Sequence, residues 1–195
     1  MTVRIGGVLL AAGRSRRFGS DKRMARLASG ETVLDRAVAA FAPAVDELVL
    51  VIGAADEPGA FAAWFPGVRI FRARDSAAGM GSSLAEAIRA APAWSGCLVG
   101  LADMPFISPG TVRAVRAAMG EEIVVPRYRG QSGHPVGFPH RVFAALSALQ
   151  GEAGARALIL AESARCRFLD VDDQGVLADV DTPEALRAAE AVCAS

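Results

Sequence analysis

The chain has 195 residues, of which 52% are hydrophobic, and its 21 basic residues balance its 21 acidic ones. This length and apolar content predict one domain, spanning residues 1–195, with a single sizeable core. The zero net charge argues against a nucleic-acid partner, which would require a broad basic face. The apolar runs are too short to span a membrane and no signal-peptide pattern is present, so we expect a cytoplasmic protein without a membrane partner.

Predicted strands alternate with predicted helices along the chain. Apolar runs predict strands at 5–12, 47–53, 68–71, 97–102, 123–126 and 167–171. Helical spacing and capping signals predict helices at 33–41, 60–65, 79–90, 109–119, 141–149 and 154–160, and from Pro183 onward. This alternation predicts an α/β fold, a three-layer α/β/α sandwich around a Rossmann-like, mostly parallel mixed sheet.

The first predicted strand ends in a loop with a high concentration of positive charge. The cations are Arg14, Arg16, Arg17, Lys22, Arg23 and Arg26, and the one acid among them is Asp21. Gly13 and Gly19 would let backbone N–H groups approach a ligand, so the loop suits a polyanion such as a triphosphate. Lys22 is the only lysine in the chain. Its compact ammonium would suit a phosphate oxygen, and a solvated lysine on a flexible loop is the alternative.

The spacing of this loop excludes two familiar phosphate-binding motifs. A P-loop has four residues between its glycines and a lysine directly after the second, whereas five residues separate Gly13 from Gly19 here. A dinucleotide-binding fingerprint would need a glycine two residues after Gly13, and residue 15 is serine. The loop therefore belongs to another class of phosphate site.

Three further segments carry candidate ligands. The run Gly79 to Ser83 combines glycines and hydroxyls at a helix start and could hold a base, although Ser82 or Ser83 could simply cap the helix. Asp103 follows a buried strand, where open α/β sheets bind ligands, and its alternative role is to cap a turn. Asp179 and Asp181 would point the same way in an extended segment. A triphosphate cradle with two separate carboxylates is what Mg²⁺-dependent nucleotidyl transfer needs.

His134 lies in a glycine-rich segment, 128–138, that is predicted to be a hairpin or a loop. No Cys/His cluster of zinc-site spacing surrounds it, so metal ligation is not expected. Either a substrate contact or a structural hydrogen bond fits this residue, and the sequence leaves both open.

The stretch from Leu10 to Lys22 resembles the signature L-A-(A/G)-G-x-S-x-R-(F/M)-G-x-x-K of the MobA-like nucleotidyltransferases. Four later segments resemble motifs of the molybdenum cofactor cytidylyltransferase branch in the same order, namely 101–105, 133–136, 151–156 and 179–183. This resemblance implies a nucleotide-diphosphosugar-transferase-like sheet. It also implies transfer of CMP from CTP to the terminal phosphate of molybdopterin, with release of pyrophosphate.

The resemblance also implies roles for individual residues. Lys22 and Arg17 would hold the triphosphate and act in catalysis together with Asp103, and Asp103 and Asp181 would bind Mg²⁺. The nucleotide would contact Leu10, Ala11, Ala12, Gly13, Arg14, Ser15, Lys22, Gly79, Ser82 and Ser83. The acceptor substrate would contact His134, Arg156 and Asp179.

Base choice and acceptor have alternatives. The guanylyl-transferring relatives resemble this pattern with Gly-Gly at positions 12 and 13, and the methyl group of Ala12 would narrow the slot and favour the pyrimidine of CTP. GTP, or another small phosphorylated acceptor, is the second possibility within the same enzyme class. A third is a non-catalytic, cofactor-binding chaperone. A client molybdoenzyme would be a further partner.

Overall fold

The computed structural model of the protein describes residues 3–13, 15 and 17–193. The strands in these ranges are β1 (Ile5–Leu10), β2 (Glu47–Ile52), β3 (Arg69–Arg72), β4 (Gly96–Leu101), β5 (Ile123–Tyr128), β6 (Gln131–Ser132), β7 (Val136–Pro139) and β8 (Cys166–Asp170). The α-helices are α1 (Val33–Phe41), α2 (Pro58–Trp64), α3 (Met80–Arg89), α4 (Pro109–Ala118), α5 (Phe143–Ser147), α6 (Arg156–Ala161) and α7 (Pro183–Cys193). Short 3₁₀ turns cover Lys22–Met24, Ala42–Ala44, Ser76–Ala78, His140–Val142, Ser163–Arg165 and Gln174–Leu177.

The strands form one mixed sheet in the order β3-β2-β1-β4-β7-β5-β6, and β8 pairs with β5. β1 runs parallel to both of its neighbours, β2 and β4. In this register Leu9 pairs with Leu50 on β2 and with Gly100 on β4. The chain thus leaves β1 toward one side of the sheet and later returns on the other side at β4. Such a reversal of strand order creates a crevice at the carboxyl ends of the strands, where open α/β sheets bind ligands.

The six predicted strands are confirmed, with ends that agree within two residues. The segment 128–138 contains more structure than a hairpin or loop, since β7 begins within it and continues to Pro139. β7 lies antiparallel between β4 and β5, and all four of its residues are buried. This strand makes the sheet mixed, as predicted.

Helices cover both faces of the sheet. On one face, α1, α2 and α4 pack on sheet residues such as Leu9 and Leu50. On the other face, α3 and α5 pack on residues such as Val8 and Val99. Alternate residues of each strand point to opposite faces, so each buried strand supplies both cores. This arrangement confirms the three-layer α/β/α sandwich.

Helix starts follow the predicted capping signals. Thr32 and Asp35 form a reciprocal capping box at the start of α1. The Ser108 hydroxyl caps α4, and the Thr182 hydroxyl accepts a backbone N–H from the first turn of α7. Each cap satisfies N–H groups that have no partner inside the helix. Among the described residues, no helix is both long and apolar enough to cross a membrane.

Candidate active site

A cavity of about 310 Å³ opens at the carboxyl ends of β1 and β4. The predicted site residues that line it are Leu10, Ala11, Ala12, Gly13, Lys22, Gly79, Ser83 and Asp103. The β1 loop, the start of α3 and the end of β4 are far apart in sequence, and the sheet topology brings them together here. The cavity therefore lies at the reversal point that the fold predicts for a ligand.

Lys22 bridges two of the predicted carboxylates. Its ammonium nitrogen Nζ donates hydrogen bonds to Asp103 Oδ2 at 2.6 Å and to Asp181 Oδ1 at 2.8 Å. Arg17 Nη1 donates to the second oxygen of Asp181 at 3.1 Å. The Lys22 side chain is only 12% exposed, so the alternative of a solvated lysine is wrong.

The charges of this cluster stabilise one another. Burial acts to lower the pKa of Lys22, but the attraction and hydrogen bonds of Asp103 and Asp181 outweigh it and raise that pKa above its usual value. The hydrogen bond from Lys22 is in turn the largest cause that lowers the pKa of Asp181. Lys22 is therefore a cation, and Asp181 an anion, at neutral pH.

The two carboxylates fit a divalent cation. Asp103 Oδ1 is buried and accepts no hydrogen bond from any residue in the described ranges. The Val180 N–H donates to the Asp103 backbone carbonyl at 2.8 Å, which holds the segment carrying Asp181 beside Asp103. Oxygen ligands suit Mg²⁺, which takes one or two protein carboxylates and completes its shell with phosphate oxygens and water. Within the described part of the chain, no group of three or more His, Cys, Asp or Glu side chains is placed to hold a metal.

The segment 150–153 packs on the start of α3 beside the cavity. The Gly81 N–H donates to the Gly151 carbonyl at 2.9 Å, and the Gly151 N–H donates to the Ser82 hydroxyl at 3.1 Å. Gly79 has φ of +126°, and a Cβ there would lie 2.6 Å from the backbone nitrogen of Glu152. Glycine at 79 is thus required by both its conformation and this close contact. The contact brings Glu152 into the cavity wall.

The serines of the predicted nucleotide site bind the protein's own backbone. Ser15 accepts a hydrogen bond from the Lys22 N–H at 3.2 Å. Ser83 donates to the Gly79 carbonyl at 3.2 Å, within the first turn of α3. Ser82, which contacts the segment 150–153, lies outside the cavity lining. Arg14, also assigned to the nucleotide, falls outside the described residues.

The described residues that line the cavity do not include the predicted acceptor contacts His134, Arg156 and Asp179. The His134 N–H donates to the Val176 carbonyl at 3.0 Å, and its Nδ1 is 3.5 Å from the Val99 carbonyl oxygen. Burial is the main cause that lowers the pKa of His134, so the ring is neutral at pH 7. These contacts favour the structural hydrogen bond over the substrate contact. Arg156 and Asp179 are both exposed.

Two of the loop cations that the structure describes are bound by the protein's own acceptors. Arg23 is bound by Asp21 and Asp56, and Arg26 donates to the Gly30 carbonyl at 2.6 Å. Arg16 lies outside the described residues. Counting cations in the sequence therefore overstated the positive charge available to a ligand, because Asp56 follows the second strand and its proximity was not evident from the sequence.

Sequence reasoning missed three polar residues of the cavity wall, namely Arg23, Ser76 and Glu152. Glu152 falls within the segment 151–156 that resembles a family motif, which was the available signal. Arg23 was counted as a loop cation but received no role in the site. Nothing in the local sequence pattern singled out Ser76.

Comparison with known proteins gives the family. The model of the MobA-like NTP transferase domain matches residues 7–166. The purine catabolism protein PucB of Bacillus subtilis is 30% identical over 91% of this chain and 92% of its own length. The nicotine blue oxidoreductase of Paenarthrobacter nicotinovorans is 30% identical over 93% of this chain and 94% of its own length. A probable molybdenum cofactor guanylyltransferase of Pelotomaculum thermopropionicum is 35% identical over 67% of this chain and 60% of its own length.

A solved structure is similar across nearly the whole chain. The crystal structure of Rv0371c from Mycobacterium tuberculosis has a TM-score of 0.82 and 31% identity, covering 96% of this chain and 97% of that one. A second structure of Rv0371c is a complex with manganese, with a TM-score of 0.77, 31% identity and coverage of 95% and 97%. These matches confirm the resemblance to the MobA-like nucleotidyltransferases and the nucleotide-diphosphosugar-transferase-like fold. The chain belongs to the MobA-like NTP transferase domain family of nucleotidyltransferases.

Proposed function

We propose that this protein transfers CMP from CTP to the terminal phosphate of molybdopterin, in a reaction that depends on Mg²⁺ and releases pyrophosphate. The observation that carries the proposal is the cluster of Lys22, Asp103 and Asp181 at the cavity edge. It joins a permanent cation to two carboxylates, and one buried carboxylate oxygen has no hydrogen-bond donor among the described residues. This combination suits a metal-bound triphosphate.

The transfer forms one P–O bond and breaks another. An oxygen of the acceptor's terminal phosphate attacks the α-phosphorus of CTP, and the bond from that phosphorus to the pyrophosphate oxygen breaks. Lys22 and Arg17 neutralise negative charge on the triphosphate and on the leaving pyrophosphate. Asp103 and Asp181 would hold Mg²⁺, which when bound would neutralise phosphate oxygens and orient them.

Rearrangement of Lys22 is part of this proposal. Its ammonium is hydrogen-bonded to both proposed metal ligands, so a metal at these carboxylates would compete with it. A lysine has a flexible four-carbon stem and can leave the carboxylates for a phosphate oxygen. The manganese complex of the similar protein Rv0371c supports a divalent metal in the family.

Two alternatives remain under test. The relative named as a probable molybdenum cofactor guanylyltransferase favours GTP as donor, whereas Ala12 in the cavity wall favours the smaller base of CTP. A non-catalytic cofactor-binding chaperone would not need Lys22, Asp103 and Asp181 together. Their clustering supports catalysis.

Cytoplasmic location also stays a prediction, supported by the free state of Cys97 and Cys166.

A donor screen tests the proposal. The purified protein is incubated with molybdopterin, Mg²⁺ and each of the four nucleoside triphosphates in turn, and pyrophosphate release is measured. We expect release with CTP that requires both the acceptor and the metal, so omission of molybdopterin or addition of a chelator abolishes it. Release with GTP alone would assign the guanylyl reaction. No release with any donor would refute molybdopterin as the acceptor, and repeating the screen with other small phosphorylated acceptors would separate a different acceptor, which restores release, from the chaperone, which does not.

A further inference from the structure

The turn that carries Lys22 has little apolar burial of its own, although Phe18 before it and Ala25 after it pack on the cluster around Leu27. Lys22 begins the short 3₁₀ turn Lys22–Met24, and none of the three residues of this turn is buried. Asp21 caps the turn through the Arg23 N–H, which fixes its local shape but not its position relative to the sheet. Polar contacts of the turn residues themselves must therefore add to this flanking packing in placing Lys22 at the cavity.

The side chain of Arg23 makes the contacts that packing does not supply. Its Nη1 donates to Asp56 Oδ2 at 2.6 Å and to the Ala11 carbonyl at 3.1 Å. Its Nη2 donates to Asp56 Oδ1 at 2.8 Å and to Asp21 Oδ2 at 2.7 Å. The guanidinium also lies 5.1 Å from the ring centre of Phe61, and the side chain is only 12% exposed. Bidentate bonds of this kind fix direction as well as distance.

Asp56 connects this network to the sheet. Its Oδ2 accepts the Gly53 N–H at 2.8 Å, at the residue that follows β2. Ala11, the other backbone partner of Arg23, follows β1. Arg23 therefore ties the turn that carries Lys22 to the carboxyl ends of two central, neighbouring strands.

We infer that Arg23 and Asp56 are positioning residues that hold Lys22 at the cavity. The role of Lys22 at the triphosphate rests on the proposed function. Arg23 is not itself a phosphate-binding cation, because its donors are used by two carboxylates and a carbonyl. The planar fork of arginine is needed for this pattern, since lysine has no fixed pair of donors that could match the two oxygens of Asp56.

The chain contains a matched control at the opposite edge of the sheet. Arg116 Nη2 donates to both oxygens of Asp46 at 2.8 Å, and its Nη1 donates to the Ala44 carbonyl at 2.8 Å. Asp46 also accepts the Ile5 N–H at 2.7 Å, at the start of β1. The two pairs share a bidentate carboxylate, a backbone carbonyl and a strand-end N–H, but only the Arg23 pair adjoins Lys22.

Kinetics of Arg23→Gln and Arg116→Gln separate positioning from stability. We expect Arg23→Gln to lower kcat/KM for pyrophosphate release by about 10²-fold, the scale of a misplaced catalytic group, while Arg116→Gln leaves it unchanged. In a Lys22→Ala background, Arg23→Gln should have little further effect, because the two residues act as one unit. Independent, multiplicative losses in that background would overturn the inference, as would equal effects of the two arginine variants.

Amide hydrogen exchange tests the inference without turnover. Arg23→Gln and Asp56→Asn should speed exchange at Gly53 and in the turn Lys22–Met24, and leave Ile5 protected. Arg116→Gln should speed exchange at Ile5 and leave Gly53 and the turn Lys22–Met24 protected. If the unmodified protein releases no pyrophosphate but this exchange pattern holds, the proposed function fails and the placement of Lys22 by Arg23 stands. Unchanged exchange at the turn in Arg23→Gln would refute the placement even in an active enzyme.

Discussion

The parallel strands of the central sheet begin at one edge, here called the amino edge, and end at the opposite one, the carboxyl edge. The charged side chains at these two edges are paired in different ways. At the amino edge, Arg116 and Asp46 satisfy each other with two bonds of 2.8 Å. At the carboxyl edge, Lys22 is shared between Asp103 and Asp181, and one oxygen of Asp103 has no donor among the described residues. The Arg116–Asp46 pair is satisfied without a ligand. The Asp103 carboxylate is not, and that difference supports the proposed site at the carboxyl edge.

The edges also differ in how much each charge contributes. The side chains of Arg116 and Asp46 are 31% and 36% exposed, and solvent screening limits such pairs to about 0.2–1 kcal/mol. Lys22 and Asp103 are 12% and 22% exposed, so solvent screens their pair less, whereas the pair of Lys22 with Asp181, which is 41% exposed, is screened more. The Lys22–Asp103 pair is thus the more buried of the pairs compared, and the loss of one partner should be more costly there than in the Arg116–Asp46 pair.

The largest expected effect is that of Asp103→Asn. The amide keeps the shape of the side chain but loses the charge that would hold Mg²⁺, so pyrophosphate release should fall to background. The fold should persist, because the bond from the Val180 N–H uses the backbone carbonyl of Asp103. Pyrophosphate release is measured at saturating Mg²⁺, and circular dichroism checks the fold.

Asp46→Asn is the matched substitution at the amino edge and should leave pyrophosphate release unchanged. If Asp103→Asn retained near-normal turnover, the assignment of the metal to Asp103 would be wrong. If both variants lost activity equally, the two edges would not differ in function.

The second prediction concerns Lys22→Arg, which preserves charge at the carboxyl edge. A planar fork cannot move from the two carboxylates to a phosphate as a compact ammonium can, so kcat should fall by roughly 10² to 10³, the effect of losing one transition-state contact. Single-turnover release of pyrophosphate measures this loss. Parental activity in the arginine variant would show that only the charge of Lys22 matters.

Much of this site could be predicted from the sequence because its parts follow strands. The run from Leu10 to Lys22 and the residues around Asp103 each come directly after a buried apolar run. Parallel strands end at the same edge of a sheet, so these two segments were expected to meet. In the structure, Lys22 Nζ lies 2.6 Å from Asp103 Oδ2.

Other features depend on contacts that local patterns do not encode. β7 is a central strand, yet its four residues include a glycine and end in a proline, which weakens the pattern of a buried strand. Glu152 reaches the cavity through the packing of 150–153 on glycines 79 and 81, about 70 residues earlier in the chain. The role of Arg23 depends on Asp56, which belongs to a different strand connection. Long-range packing decides each of these features.

The third prediction sharpens the carboxyl edge by testing base choice at Ala12. A methyl group in the cavity wall should crowd a purine more than a pyrimidine, a difference of about 1–3 kcal/mol. We therefore expect kcat/KM to favour CTP over GTP by roughly tenfold to a few hundredfold, and Ala12→Gly to reduce that preference. Equal or better use of GTP by the parent protein would refute the steric argument and leave the metal site untouched.

The smallest expected effect lies at the amino edge and depends on pH. Hydrogen bonds from Arg116 are the main cause that lowers the pKa of Asp46, so ionised Asp46 stabilises the folded state. Its pKa in the unfolded chain is about 3.9, so this contribution is complete above that value and is lost as the pH falls through the lower folded pKa. At pH 7, Asp46→Asn should reduce the free energy of unfolding by at most about 1 kcal/mol, the limit for a pair of this exposure.

Urea unfolding of the parent and of Asp46→Asn, followed from pH 7 toward pH 3, measures this contribution. The difference between the two proteins should shrink as the pH falls, because the parent's Asp46 then also becomes neutral. Arg116→Gln breaks the same pair by removing the arginine instead of the carboxylate charge. The difference in the free energy of unfolding between the parent and this variant should show the same pH dependence. A difference that stays constant across this range would mean that Asp46 acts through shape and neutral hydrogen bonding. The Arg116–Asp46 pair would then differ from the Lys22 cluster in the kind of interaction as well as in whether each carboxylate oxygen has a donor.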